Sequence, residues 1–262
     1  PMPVTFDATF FVVTILLTLR LSIVAAMLPL ISGRTVPVVW RLALAGVVAA
    51  AAAPVIVDTL PPDNLVFTWA PLLLEATNSV LVGLMVTFVV GIPFAAVRFA
   101  GQVIGVQIGF SMVNTIDPQS GLQASVLAQL YYLLAVILFF AMDLHHMLIR
   151  VLIETCHIVP IFGEVNGVGG AWLLVSGFGE FFKMGFVIAM PVVIILLLIS
   201  AAMGFVVKTV PQINILVVGF PIKIAVGLAV MGASLVFFGR IVTGLFEGME
   251  SDLYDLLGAL RA

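Results

Sequence analysis

Charge is what this sequence has least of. Asp, Glu, Lys and Arg make up 9% of its 262 residues, against about 25% in a soluble domain, and that excludes an ordinary water-exposed globule. A single cysteine, Cys156, excludes an intrachain disulfide and says nothing of the redox compartment. Basic runs are missing, and a formal net charge of −3 offers no surface for nucleic acid. H-E-x-x-H, G-x-S-x-G, Walker and dinucleotide motifs are also absent, so the residues do not support an enzyme and call for no cofactor. His145, His146, His157 and Cys156 are zinc-ligand types. Adjacent histidines diverge by about 100° on a helix, however, so no metal site is expected. With no Gly/Ser linker or composition break, one helical domain is expected over residues 1–262.

What is present is apolar sequence, 63% of the chain. Runs at 9–30, 42–57, 65–97, 125–142, 171–207 and 222–239 predict an all-α integral membrane protein with about six hydrophobic segments. The first two read as an antiparallel hairpin. No basic stretch or clear cleavage site accompanies the first run, which predicts an uncleaved segment. The 65–97 run contains Pro93 and exceeds the roughly 20 residues of one span, so a bend or break is expected. Another helix should continue from 142 through Asp143, His145 and His146 towards Pro160. Residues 163–170, GEVNGVGG, read as a loop, and Pro191 as a kink. From Val242, Leu245, Met249, Leu253, Leu256 and Leu260 mark an amphipathic tail helix expected to lie on a partner or an interface. Arg34 and Arg41 against Asp58 and Asp63 put the first connection in the cytoplasm.

Arg20, Glu75, Glu180, Lys183, Lys208 and Lys223 lie within apolar runs, where each must be paired or wet. A proton relay is one reading. Pairing is the preferred one, with neighbouring subunits or, for Glu180 and Lys183, along one helix face.

The densest signal is RFAGQVIGVQIGFSMVNTIDPQSG, residues 98–121. Gly101, Gly105 and Gly109 form a smooth helix face for close backbone approach, which alone is ordinary membrane-helix packing. Gln102 and Gln107 would be unsatisfied against lipid, and Asp117-Pro118 with Ser120-Gly121 should stop the helix. Phe110, Met112 and Val113 read either as core packing or as a compressible apolar seal.

Two segments, AGQVIGVQIGFSMVNTIDPQSGLQASVLAQLYYLLA (100–135) and PQINILVVGFPIKIAVGL (211–228), closely resemble the FliR/SctT family of type III export-gate proteins, on the flagellar rather than the injectisome side. The resemblance implies a non-enzymatic pore subunit of bent helical hairpins, much of it above the membrane plane. One copy would join FliP and FliQ beside FlhB and FlhA in the bacterial inner membrane, at the flagellar basal body. Unfolded flagellar subunits would pass through. It further implies that the loop after the glycine helix plugs the channel, here Phe110, Ser111, Met112, Val113, Asn114, Thr115, Ile116, Asp117, Pro118 and Gly121. Arg20, Glu75, Gln102, Gln107, Pro211, Gln212, Asn214, Gly219 and Pro221 are expected at subunit interfaces. An injectisome gate is the alternative within the class, and a small-solute or proton-coupled transporter the alternative outside it.

Overall fold

The computed structural model describes residues 8–27, 37–57, 69–109, 126–161, 163, 165–210 and 215–261. These form α1 (Ala8–Met27), α2 (Val38–Val57), α3 (Trp69–Ile108), α4 (Val126–Ala141), α5 (Leu144–Ile158), α6 (Gly167–Thr209), α7 (Ile215–Ala233) and α8 (Leu235–Leu260). Among the described residues there is no strand, only an isolated bridge between Val165 and Arg261. The protein is all-α. Three helices, α2, α3 and α6, are long and apolar enough to cross a membrane. The paired helices α4/α5 and α7/α8 raise the number to five, and 10–26 is a shorter apolar helix. Together they account for the six apolar runs.

From Trp69 on, the 65–97 run does not break. α3 continues through Pro93 for 40 residues and α6 through Pro191 for 43. At 1.5 Å per residue these helices are about 60 and 65 Å long, twice the roughly 30 Å hydrocarbon thickness, so only part of each can lie in lipid. Conversely, the helix expected to run on through Asp143 does break there, where φ is 55° in the left-handed region. The expected loop at 163–170 is shorter, because α6 already begins at Gly167.

Contacts divide the chain into two compact units. The first comprises 1–92, 143–177 and 248–262, and the second 93–142 and 178–247. In the first, α1 and α2 are antiparallel: Arg41 Nη1 donates to the Ala26 carbonyl at 3.4 Å, while Gly46 faces Thr18. Ala45, Ala49, Ala53 and Ile56 bring one stripe of α2 against Val13, Leu16, Leu17 and Leu21 of α1. Small side chains at four-residue spacing let the helices approach closely. The tail helix docks within the same unit. Met249, Leu253, Leu256, Leu257 and Leu260 are buried, the Leu260 carbonyl accepts from Asn166 N–H at 2.9 Å, and Tyr254 Oη donates to Glu154 Oε2 at 2.7 Å. The apolar stripe expected to need a partner is thus covered by the chain itself.

The second unit has an aromatic core. Phe94 lies 5.2 to 6.1 Å from the rings of Phe246, Phe139 and Tyr132, and Arg98 sits 3.8 Å over the Tyr132 ring. On α6, Phe186, Met190, Ile194, Leu197, Leu198 and Phe205 stay exposed, an apolar surface fit for lipid or another subunit.

Candidate gate segment and its supports

The expected plug, residues 110–121, lies outside the described residues, as do Pro211, Gln212 and Asn214. Its flanks are described, and all belong to the second unit. α3 ends at Ile108, and Gly109 leaves the helix with φ 104°. The helix therefore stops before the Asp117-Pro118 turn credited with stopping it. Gly109 still hydrogen-bonds back to Gly105 and Val106 at 3.2 and 3.1 Å, closing the last turn as a C-terminal glycine does.

The glycines are placed where bulk is excluded. A Cβ on Gly101 would lie 2.5 Å from Ala128 Cα and 2.8 Å from the Leu127 carbonyl oxygen, so α3 and the first turn of α4 touch backbone to backbone. A Cβ on Gly109 would collide with Phe220 Cε1, and one on Gly227 would lie 2.8 Å from Ile108 Cδ1. Gly105 is buried. The end of α3, the start of α4 and α7 thus converge on both flanks of the 110–125 segment. Phe220 and Gly227 are supports that the glycine and Asp-Pro motifs did not single out, although Phe220 sits in the middle of Gly219-Phe220-Pro221. Of the expected interface residues, Gln102 and Pro221 are exposed, Gln107 is half-buried and Gly219 is buried. Gly109→Ala is expected to cost about 1–3 kcal/mol, the usual cost of a strained φ in a residue with a Cβ. Thermal unfolding should show the loss, and adding Phe220→Ala should recover only its steric part.

Arg20 and Glu75, also expected at interfaces, meet inside the first unit. Arg20 Nη2 is 3.6 Å from Glu75 Oε1, and both residues are 1% exposed. Arg20 Nη1 donates to the carbonyls of Val159 (3.0 Å) and Thr155 (3.4 Å) at the end of α5, where the Thr155 carbonyl also accepts from Val159 N–H at 2.9 Å. Ser79 Oγ donates to Glu75 Oε1 at 3.2 Å. These charges are neutralised within the chain, which corrects the expectation of a neighbouring subunit for them. Glu180 and Lys183 do pair along one helix face, at 2.9 Å.

The two histidines are closer than their helical positions imply. The His145 and His146 rings are 4.0 Å apart, and with Asp143 they bring three ligand-type atoms within 4.8 Å. The cause is the left-handed Asp143, which starts a new helix and leaves both rings on its first turn. His146 Nδ1 and Asp143 Oδ1 stand 3.8 Å apart, and both side chains are largely exposed.

Residues 11–249 match the family model for bacterial export proteins, family 1. The chain is 33% identical over 243 residues to the flagellar biosynthetic protein FliR of Escherichia coli K12, covering 92% of this chain and 91% of that one. It is 32% identical over 249 residues to the FliR of Bacillus subtilis 168, covering 93% of each. Caulobacter vibrioides FliR is 27% identical over 216 residues, with 82% and 85% covered.

Proposed function

The chain belongs to the bacterial export proteins, family 1, and from that premise we propose that it is a subunit of the membrane gate of the flagellar export apparatus. The observation that carries this is similarity to FliR proteins along almost the whole length of both chains. The proposed gate contains FliP and FliQ, lies beside FlhB and FlhA in the inner membrane of the basal body, and passes unfolded flagellar subunits. The chain's own part is structural and not enzymatic.

Several features support the reading. Helices twice as long as a bilayer is thick suit an assembly held partly outside lipid. An exposed apolar face on α6 suits burial against other subunits as well as lipid. The glycine contacts hold the two flanks of 110–125 by close packing, which suits residues 110–121 as the plug: an apolar stretch with an Asp-Pro pair that blocks small ions until an extended polypeptide displaces it. Gln102, Gln107, Pro211, Gln212, Asn214, Gly219 and Pro221 are the proposed contacts with neighbouring subunits. The proposal keeps residues 1–262 as one domain, which is supported by three of the four passages between the two units falling inside continuous helices.

Native mass spectrometry after co-expression with the neighbouring FliP- and FliQ-type subunits should give a discrete complex holding one copy of this chain. A monomer indifferent to both would overturn the gate. Deleting residues 111–120 should leave that complex assembled while raising small-ion leakage across the membrane. An assembled but ion-tight deletion would remove the plug and leave the gate standing.

A further inference from the structure

The first unit holds a cavity of about 700 Å³ beside the C-terminal half of α5, within the roughly 300–1,000 Å³ usual for small-ligand sites. One face of α5 forms its wall. Arg150, Ile153, Glu154, His157 and Ile158 recur at steps of three, one, three and one residues, a spacing that keeps them on one side of a helix. Arg261, just past α8, lines the cavity from the other side. Its backbone is fixed there by the bridge to Val165 and by the neighbouring Asn166-to-Leu260 hydrogen bond of 2.9 Å.

The polar groups are not equivalent. Arg150 and Arg261 are exposed and enter no ion pair among the described residues. Glu154, the one carboxylate among the described lining, is engaged through Oε2 by the Tyr254 hydroxyl. Among the described lining, two guanidinium groups thus stand against one occupied carboxylate, and Ile153 and Ile158 supply an apolar wall beside them.

We propose that this cavity binds the phosphodiester headgroup of an anionic membrane lipid. Guanidinium matches the spacing of phosphate oxygens with paired N–H donors and is weakly hydrated, so it suits a partly enclosed phosphate. The lipid source is favoured over free inorganic phosphate by the isoleucines. They give a small dianion nothing, whereas glycerol and the first acyl carbons of a lipid would cover them. Basic pockets between apolar helices are the general form of such sites. The inference is independent of the plug and rests on the chain's membrane setting, with this cavity at headgroup depth.

The test uses the full chain in nanodiscs of phosphatidylcholine with stepped additions of phosphatidylglycerol, with bound lipid read by native mass spectrometry after release. Retention of phosphatidylglycerol over phosphatidylcholine is expected to be about 25-fold, from two arginines each contributing roughly fivefold near anionic lipid. Arg150→Gln with Arg261→Gln should bring the ratio near one. Lys208→Gln with Lys223→Gln, which removes the same charge elsewhere, should leave it unchanged. Should the arginine double variant fail to fold, the wild-type chain still decides: equal retention of the two lipids overturns the proposal. So does displacement of phosphatidylglycerol by millimolar inorganic phosphate, which would make free phosphate the ligand, and so does an equal loss in the lysine control.

Discussion

Arg20→Met is expected to lower the unfolding free energy by about 3–5 kcal/mol, the usual result of removing one partner of a buried ion pair. Against a total stability of roughly 5–15 kcal/mol, that is a large share. The loss has two sources. Glu75, 1% exposed, would keep the Ser79 hydroxyl but lose the guanidinium. At the same time the Val159 carbonyl just past α5 would lose the guanidinium, and the Thr155 carbonyl would keep only the Val159 N–H. Glu75→Ala should cost less, because Arg20 retains both carbonyls. Arg20→Met with Glu75→Leu should recover much of the loss, since neither buried charge is then left without its counterpart. Thermal unfolding in detergent of the wild type, Arg20→Met, Glu75→Leu and the double variant gives the coupling directly. Additive, mild losses would mean that the two charges do not meet in a dry interior.

Gly101→Val carries the second large effect. Its Cβ would lie 2.5 Å from Ala128 Cα, 2.8 Å from the Leu127 carbonyl oxygen and 2.9 Å from Ala128 N. These are backbone atoms of another helix, so no side-chain rotation relieves the clash and α3 and α4 must separate. Overpacking that side chains can absorb costs about 1–3 kcal/mol. This substitution should reach about 3 kcal/mol or more, and Gly101→Ala should also destabilise although alanine is the better helix former by about 1 kcal/mol. Gly91 provides the control within the same helix. Nothing lies within 4 Å of the place a methyl group would take there, so Gly91→Ala should be neutral or stabilising by up to about 1 kcal/mol. If both alanine variants melt alike, α3 and α4 do not make the close contact. Because Gly101 and the start of α4 flank the 110–125 segment, Gly101→Val should also impair export in a motility assay.

Some of this was plain in the sequence for a clear physical reason. Apolar runs long enough to span a bilayer dictate helices, since only internal hydrogen bonds satisfy a backbone away from water, and the six runs reappear as helices or helix pairs. Arg20 in the middle of such a run had to meet protein or water. The glycine spacing announced a close approach that Gly101 makes. Glu180 and Lys183, three residues apart, needed no tertiary knowledge to be paired. The family, too, was legible, because a glycine-spaced helix followed by Asp-Pro and, further on, Pro-Gln-x-Asn with Gly-Phe-Pro is a specific combination.

Which surface each apolar or charged residue meets was not legible, because hydropathy has one value for lipid, for another subunit and for the chain's own interior. The same stripe of Met249, Leu253, Leu256 and Leu260 that promised a partner is covered by the first unit. Arg20 found Glu75 and the end of α5, contacts distant in sequence that no local pattern encodes. Pro93 did not break α3, because proline's local penalty is set against packing along the helix, whereas Asp143 did interrupt its helix through a backbone angle that its residue type permits but does not demand. The sequence by itself determined the helices, the membrane class and the family, all consequences of local composition and spacing. Only the tertiary structure decided the buried ion pair, the docking of the tail and the arginine-lined cavity, because each depends on which distant segments the fold brings together.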